Sequence, residues 1–411
     1  MRLQSSDTFA RFTLPSGAGC WQRRTSRRGC HCRQQPVANS VPTQPLRSAG
    51  AQTRGRSRRD EGLLRSLQHI SLEGIALHWI MRLGTLLLGI FAFTVGSVSP
   101  ALAQRFPFER SFDVTGPSVL DVSTIRGKIE VTVGEPGRIV VVGTATVRVD
   151  WNVPANAADL ARKVADNPPI QREGQTVRLR PPSDPAELRA VTVSYQVRVP
   201  PETEVATASE SGATTVHGVA RAVVIRTQSG AIDVMQLGGT AVVTSGSGSV
   251  TVDGVAGALT VTTSSSSVTA RAVAGELRVR TASGAVDAAL SGEGDADVAT
   301  GSSAIRLTGV QGKLLAATQS GHVSLQGVPR RDWVASSGSG GIDIATESAV
   351  PFTIDASSGS GSVKVIGASV QGSVAKRKVV GSIAGGGPLV KVTSRSGSIV
   401  VRRTDETDRS E

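Results

Sequence analysis

Three cysteines, one tyrosine, five histidines and 3% aromatics in 411 residues leave little material for the commonest kinds of functional site. All three cysteines, Cys20, Cys30 and Cys32, fall in the first 80 residues. Their absence from the rest of the chain excludes a disulfide framework, a thiolate metal centre and a cysteine nucleophile there. His31 stands between two of them, but the spacing C-x9-C-H-C lacks the two separated pairs of a structural zinc site. Beyond residue 103 the histidines are His217 and His322, far apart in sequence, so a shared metal or a catalytic pairing is not expected.

A broad excess of one charge is also missing from most of the chain. The overall charge of +12 is concentrated at the front. Residues 1–80 hold thirteen Arg and no Lys against Asp7, Asp60, Glu61 and Glu73, a net of +9. From Ala103 onward there are 31 basic and 29 acidic residues, a net of +2, so a polyanion-binding signal is read at the front end alone.

Long apolar runs are absent but for one. Met81 and Arg82 precede an uncharged apolar stretch from Leu83 to Val98, followed by Ala101-Leu102-Ala103. Basic start, apolar centre and small-residue site form the pattern of a secretory signal peptide, with cleavage after Ala103 and Gln104 as the new N-terminus. The run is shorter than the roughly 20 residues that span a bilayer, so no stable membrane span is expected after cleavage. The expected organisation is a disordered basic extension over 1–80, a signal peptide over 81–103, a strand-rich cap with the first coils over 104–204, regular repeats over 205–403 and a disordered tail over 404–411. With Met81 as the true start, residues 1–80 would be a gene-model artefact.

What is abundant is small and periodic. Ala222 to Gly239 (AVVIRTQSGAIDVMQLGG), Thr240 to Gly257, Ala258 to Gly275 and Glu276 to Glu293 share one eighteen-residue template. Each reads as an alternating strand, a Ser-Gly turn, a second alternating strand and a corner. A unit too small to bury its own apolar face must stack on its neighbours, which predicts a solenoid. The expected inward positions are Val223, Ile225, Thr227, Ile232, Val234 and Leu237, repeating at eighteen-residue steps. Single-residue insertions are expected near Gly294 to Ser303 and near Ser336 to Gly341. Upstream, Asn156 to Asp166 alone carries helical spacing and ends at Pro168-Pro169, which predicts a short helix or loop capping the first coil. The fold class is all-β: a single-stranded parallel β-helix or β-solenoid of about 18 residues per coil.

Several passages carry a resemblance in combination: the strands after residue 104, YQVRVPPETEV from Tyr195 to Val205, the recurrent SG-x-[IV]-x-V turns, and GSIAGGGPLVKVTSRSGSIVVRR from Gly381 to Arg403. The chain resembles the bacterial β-strand-repeat adhesin family of unknown function, whose domain is also called the toast-rack domain. That resemblance implies a right-handed β-helix, export, adhesive or envelope-associated behaviour, and no established catalytic residues.

Polysaccharide-cleaving β-helices carry clustered acidic and basic residues on one exterior strip. Here the outward column of the second strand reads Asp233, Thr251, Thr269, Asp287, Arg306, Ser324, Asp343, Lys364. At ~4.8 Å per coil, Asp233 and Asp287 would stand roughly 14 Å apart, too far for a glycosidase pair. The acidic turn from Gly292 to Asp297 lacks the repeated pattern of calcium-loaded rolls. The aromatic that invites a test is Trp333, beside Arg331, as a stacking contact for a ligand, against the favoured reading in which it packs over a frame-shifted coil. The expectation is therefore an exported non-enzymatic β-solenoid, an adhesin or envelope-associated interaction or scaffold protein. It needs no cofactor and no metal, and its partner is an envelope or extracellular protein or a glycan. Nucleic acid is not expected as a partner of the mature form. The alternative is a β-helix carbohydrate-active enzyme or carbohydrate-binding protein.

Overall fold

The computed structural model describes residues 104–149, 154–347 and 350–404. The basic extension, the signal peptide and its cleavage residues Ala101 and Ala103 lie outside them; Gln104 is the first described residue. More than half of the described residues are in strands, arranged in one 14-stranded and one 15-stranded sheet. In the middle of the array each coil gives one strand to each. Val223–Thr227 enters the larger sheet, and Ile232–Leu237 enters the smaller. The next coils follow in parallel register, Val223 beside Ala241, Leu259 and Leu277 in turn, and Ile232 beside Val250, Val268 and Val286.

The alternation in the sequence sets the core. Every expected inward residue from Val223 to Ala288 is buried, and the two sheets face each other across Val, Ile, Leu, Ala and Thr. β-branched side chains suit this narrow interior because their preferred rotamers pack flat on a pleated surface. Each buried Val, Leu or Ile contributes about 1.5–3 kcal/mol of burial free energy, so stability is spread evenly along the array.

The Ser-Gly turn has a definite chemistry. The last residue of each larger-sheet strand in the sequential coils is a buried Ser or Thr: Ser209, Thr227, Ser245, Thr263, Thr281, Thr300, Thr318 and Ser337. In most coils its hydroxyl accepts from the backbone N–H three residues on, as Thr227 does from Gly230 at 3.0 Å and Thr318 from Gly321 at 3.0 Å, whereas Ser245 and Thr263 donate to the carbonyl there. Where the geometry allows, it also donates to the turn of the preceding coil, as Thr300 does to the Gly284 carbonyl and Ser337 to the Gly321 carbonyl. Glycine fills the fourth position in most coils because the turns stack backbone on backbone, and Ser266 and Ser303 take it in two. A Cβ on Gly248 would lie 1.9 Å from the Gly230 carbonyl oxygen.

The opposite corner follows a second rule. Gly218, Gln236, Gly254, Ala272 and Gly309 adopt positive φ. One left-handed residue breaks the alternation and swings the next side chain inward, which is why Leu237, Val255, Val273 and Val310 are buried. The single-residue insertions also fall in corners, because a strand cannot gain a residue without turning its face over. Leu277 pairs with Ala296 and Val286 with Ile305, which places the first insertion after Val286 and before Ala296. Val323 pairs with Ile342 and Leu314 with Trp333, which places the second between Val323 and Trp333, earlier than the expected Ser336 to Gly341.

The ends depart from sequential stacking. Ser118–Thr124 and Ile129–Val133 form the first coil in sequence, yet each strand is flanked on both sides in its sheet. Ser118–Thr124 lies between Thr176–Leu179 and Thr203–Ser209, and Ile129–Val133 between Val191–Val199 and Thr214–His217. The other end mirrors this. Leu389–Ser394 lies between Trp333–Ser337 and Phe352–Ser358, and Ile399–Thr404 between Ile342–Glu347 and Val363–Ile366. The first and last coils of the chain are therefore inserted inside the stack, with later or earlier strands of the chain lying beyond them.

The ends also differ in their covering. The expected helix forms as Ala157–Asp166 and packs Ala157, Ala161, Val164 and Ala165 into the core beside the antiparallel strands Arg105–Asp113 and Arg138–Val147. A second helix, Pro185–Ala190, was not expected; Asp184 caps it by accepting from Ala186 N–H at 2.8 Å, and Pro185 opens it. At the other end the larger sheet runs on as the antiparallel hairpin Val370–Ala375 and Lys378–Ile383, while the smaller sheet stops at Val363–Ile366.

Candidate functional site

The two outer faces are ladders of side chains set by register. On the smaller sheet Asp233, Thr251, Thr269, Asp287, Arg306, Ser324 and Asp343 follow one another as expected. Val400 then intervenes between Asp343 and Lys364, because the last coil is inserted there. This corrects the expected column. Three strand steps separate Asp233 from Asp287, so they do not converge on one reacting atom. His217 Nε2 lies 2.9 Å from Gln236 Oε1, and His322 Nε2 lies 3.2 Å from Asp343 Oδ2. The two histidines thus sit in different coils with different neighbours. Among the described residues no group of three His, Cys, Asp or Glu side chains is placed to hold a metal.

Trp333 is fully buried, which agrees with packing in a coil and rules it out as a ligand platform. It takes the inward first position of Trp333–Ser337, paired with Leu314 and Val390, and its indole N–H donates to the Gly312 carbonyl at 3.1 Å. The sequence signal for this was the strand register, in which position 333 is equivalent to Leu314. Arg331 is exposed but engaged, its Nη1 3.1 Å from Asp295 Oδ1, while Arg330 Nη1 lies 2.7 Å from Glu293 Oε1. The acidic turn is therefore taken up by arginines. Asp297, its last carboxylate, pairs with Arg280. The two corners enlarged by insertion are joined by the Arg330 and Arg331 contacts.

The N-terminal end holds its own polar cluster. Arg180 Nη1 meets Asp121 Oδ1 at 2.9 Å, and that hydrogen bond holds the Asp121 carboxyl below the usual carboxylate range. Tyr195 is buried at the same end, which pushes its phenol up, and its hydroxyl donates to the Arg180 carbonyl at 3.3 Å. A Tyr held neutral by burial and bonded to a carbonyl is a structural strut, not an acid poised to react.

At the C-terminal end charge and shape coincide. Residues 350–404 carry eight basic side chains and one acidic, Asp355, a net of +7. Those from 104 to 349 carry 22 basic and 24 acidic, a net of −2. The sequence reading averaged these two segments and missed the difference; a charge count in successive windows would have found it. A groove of about 780 Å³ opens there, lined by Gln319, Ser336, Ser357, Thr393 and Arg395 among others.

The Toastrack DUF4097 family model matches residues 193–402, more than half of the chain. The chain belongs to this family. The match begins inside Val191–Val199 and takes in the sequential coils, the inserted last coil and the hairpin. Two solved structures are also similar. A "putative cell adhesion protein" from Clostridium sporogenes ATCC 15579 is 11% identical, with 72% of this chain and 100% of that one covered and a TM-score of 0.17. A "putative adhesin" from Bacteroides fragilis NCTC 9343 is 14% identical, with 72% and 97% covered and a TM-score of 0.23. No curated protein matches the chain. Among the described residues of this Toastrack protein no helix is long and apolar enough to cross a membrane.

Proposed function

We propose that this Toastrack protein is an exported, non-enzymatic interaction module, an adhesin or envelope-associated scaffold that engages its partner through an extended face. The observation that carries the reading is the pair of broad sheets, each presenting outward side chains in straight rows along the stack. Such a surface binds by summing many weak contacts, not by enclosing a small substrate. Export is supported by the signal-peptide pattern from Met81 to Ala103.

The test is the intact mass of the protein recovered from fractionated native cells. A species beginning at Gln104 in an envelope or secreted fraction is expected. A species that retains residues 1–80 in the cytosol would overturn export and make nucleic acid, drawn to the basic front segment, the partner to test next.

A further inference from the structure

We propose that the C-terminal end of the stack is a binding site for an acidic polysaccharide, one bearing carboxylate, sulfate or phosphate groups. The proposal rests on the interaction-module reading and names the partner class for it.

Three observations converge. First, the basic side chains of this end form no ion pair among the described residues. Elsewhere cations such as Lys128, Lys163, Arg180, Arg280 and Arg331 each have a carboxylate partner. Among the described residues none of the eight cations of 350–404 has one within 4.0 Å. Second, the fold brings several of them together at the larger sheet, while Lys364 and Arg402 lie on the smaller one. The hairpin turn carries Lys376 and Arg377, with Lys378 opening the strand that follows, and it is tied to the coil of Phe352–Ser358 and Val363–Ile366 by Val363 N–H donating to the Lys376 carbonyl at 2.9 Å and Arg377 Nη1 donating to the Gly359 carbonyl at 3.2 Å. Arg395 belongs to the turn stacked directly on Gly359. Third, the groove beside this cluster is floored by a row of hydroxyls. Register places Ser336 beside Thr393, Thr393 beside Ser357, and Ser357 beside Lys378. The outward hydroxyls of Ser336, Thr393 and Ser357 are engaged by no other described residue. At ~4.8 Å per strand they offer a donor and acceptor at each step along the stack, ending in a cation.

Charge alone would suit any polyanion, and the hydroxyl row selects among them. Free hydroxyls in register complement sugar hydroxyls along a chain. Single-stranded nucleic acid is bound by aromatic stacking platforms, and here Trp333 and Phe352 are fully buried.

Lysine footprinting on the full chain tests this directly. The chain has seven lysines, none before Lys128, so the basic front segment gives no signal. Lys376, Lys378 and Lys391 report the site, Lys128, Lys163 and Lys313 are internal references, and Lys364 lies on the smaller sheet, away from the groove. Heparin or polygalacturonate is expected to slow acetylation of Lys376, Lys378 and Lys391 several-fold, to leave the reference lysines unchanged, and to do so less as salt is raised. Neutral dextran should protect none. The triple variant K376E/R377E/K378E should weaken binding of the acidic polysaccharide at this end about tenfold or more, read at Lys391. S336A/T393V should weaken it while leaving the charge unchanged.

Uniform protection, or none, would overturn the site. Stronger protection by DNA or by anionic lipid vesicles of matched charge would overturn the glycan assignment. If these lysines are already protected without ligand and become reactive when residues 405–411 are removed, the occupant is the chain's own acidic tail, and the proposal fails. Release of new chain ends from the polysaccharide would instead sink the non-enzymatic reading and leave the site standing.

Discussion

The middle of the array and its two ends are built from the same coil but ordered by different rules. From Thr203 to Glu347 each coil stacks on the one before it, and neighbours in space are neighbours in sequence. At both ends the chain overshoots, turns back, and places its first or last coil inside the stack. The middle is a stack of local contacts, and such arrays fray from their ends. Here the terminal coils of the sequence have pairing partners on both sides, so the chain ends are held where a simple solenoid would be weakest. Loop-closure entropy argues that the insertions form after the stack they enter, since both bring together segments distant in sequence.

The strongest way to break the comparison is to remove the inserted coil. Deleting 389–411 takes away Val390, Val392, Ile399 and Val401, all buried, worth of order 6–12 kcal/mol of burial at about 1.5–3 kcal/mol each. Thermal unfolding followed by circular dichroism should show the C-terminal coils lost, while deletion of 405–411 alone should leave the melting curve unchanged. Trp333→Ala acts at the seam between sequential and inserted coils, since Trp333 pairs with both Leu314 and Val390. It should cost about 3–5 kcal/mol in urea unfolding.

In the middle the expected effects are smaller. Thr227→Val leaves the Gly230 N–H without its acceptor and should cost about 1–3 kcal/mol by the same measurement. Gln236→Gly should have the opposite sign. Gln236 holds φ 54°, a left-handed conformation costly for a residue with a Cβ, and glycine at this corner should stabilise by about 0.5–1 kcal/mol. A destabilised Gln236→Gly would show that the hydrogen bond to His217 outweighs backbone strain.

The smallest effect is a pH dependence confined to the N-terminal end. The carboxyl of Asp121 is lowered by its hydrogen bond to Arg180, and that of Glu130 by its hydrogen bond to Lys128. Groups lowered on folding stabilise above their unfolded values, and that contribution is lost as pH falls through the folded ones. Stability should therefore decline below about pH 4. Asp121→Asn should flatten part of that decline while leaving the C-terminal end untouched.

How much of this was legible follows from the same contrast. The inward residues of the middle could be counted because burial in a strand has a period of two and the coil a period of eighteen. Trp333 and the corner insertions could have been placed by carrying that register forward. The order of the terminal coils could not, because periodicity reports which residues share a face and is silent on which coil lies next to which. The segment from Phe352 to Ile366 looks like one more repeat, and so does that from Leu389 to Thr404. Only their pairing shows that the later one lies inside the earlier. The basic end was hidden for a plainer reason: its surplus of cations was averaged against a long near-neutral stretch.

The most direct test of the inserted-coil account is native-state amide hydrogen exchange across the C-terminal end. The account predicts that Ile399–Val401, close to the chain terminus, exchange slowly, at rates near those of Ile232–Val234. Val363–Ile366, on the open edge of the smaller sheet, should exchange faster despite coming earlier in the chain. The reverse order, with Ile399–Val401 exchanging faster than Val363–Ile366, would mean that the coils stack in sequence to the end, and would contradict it.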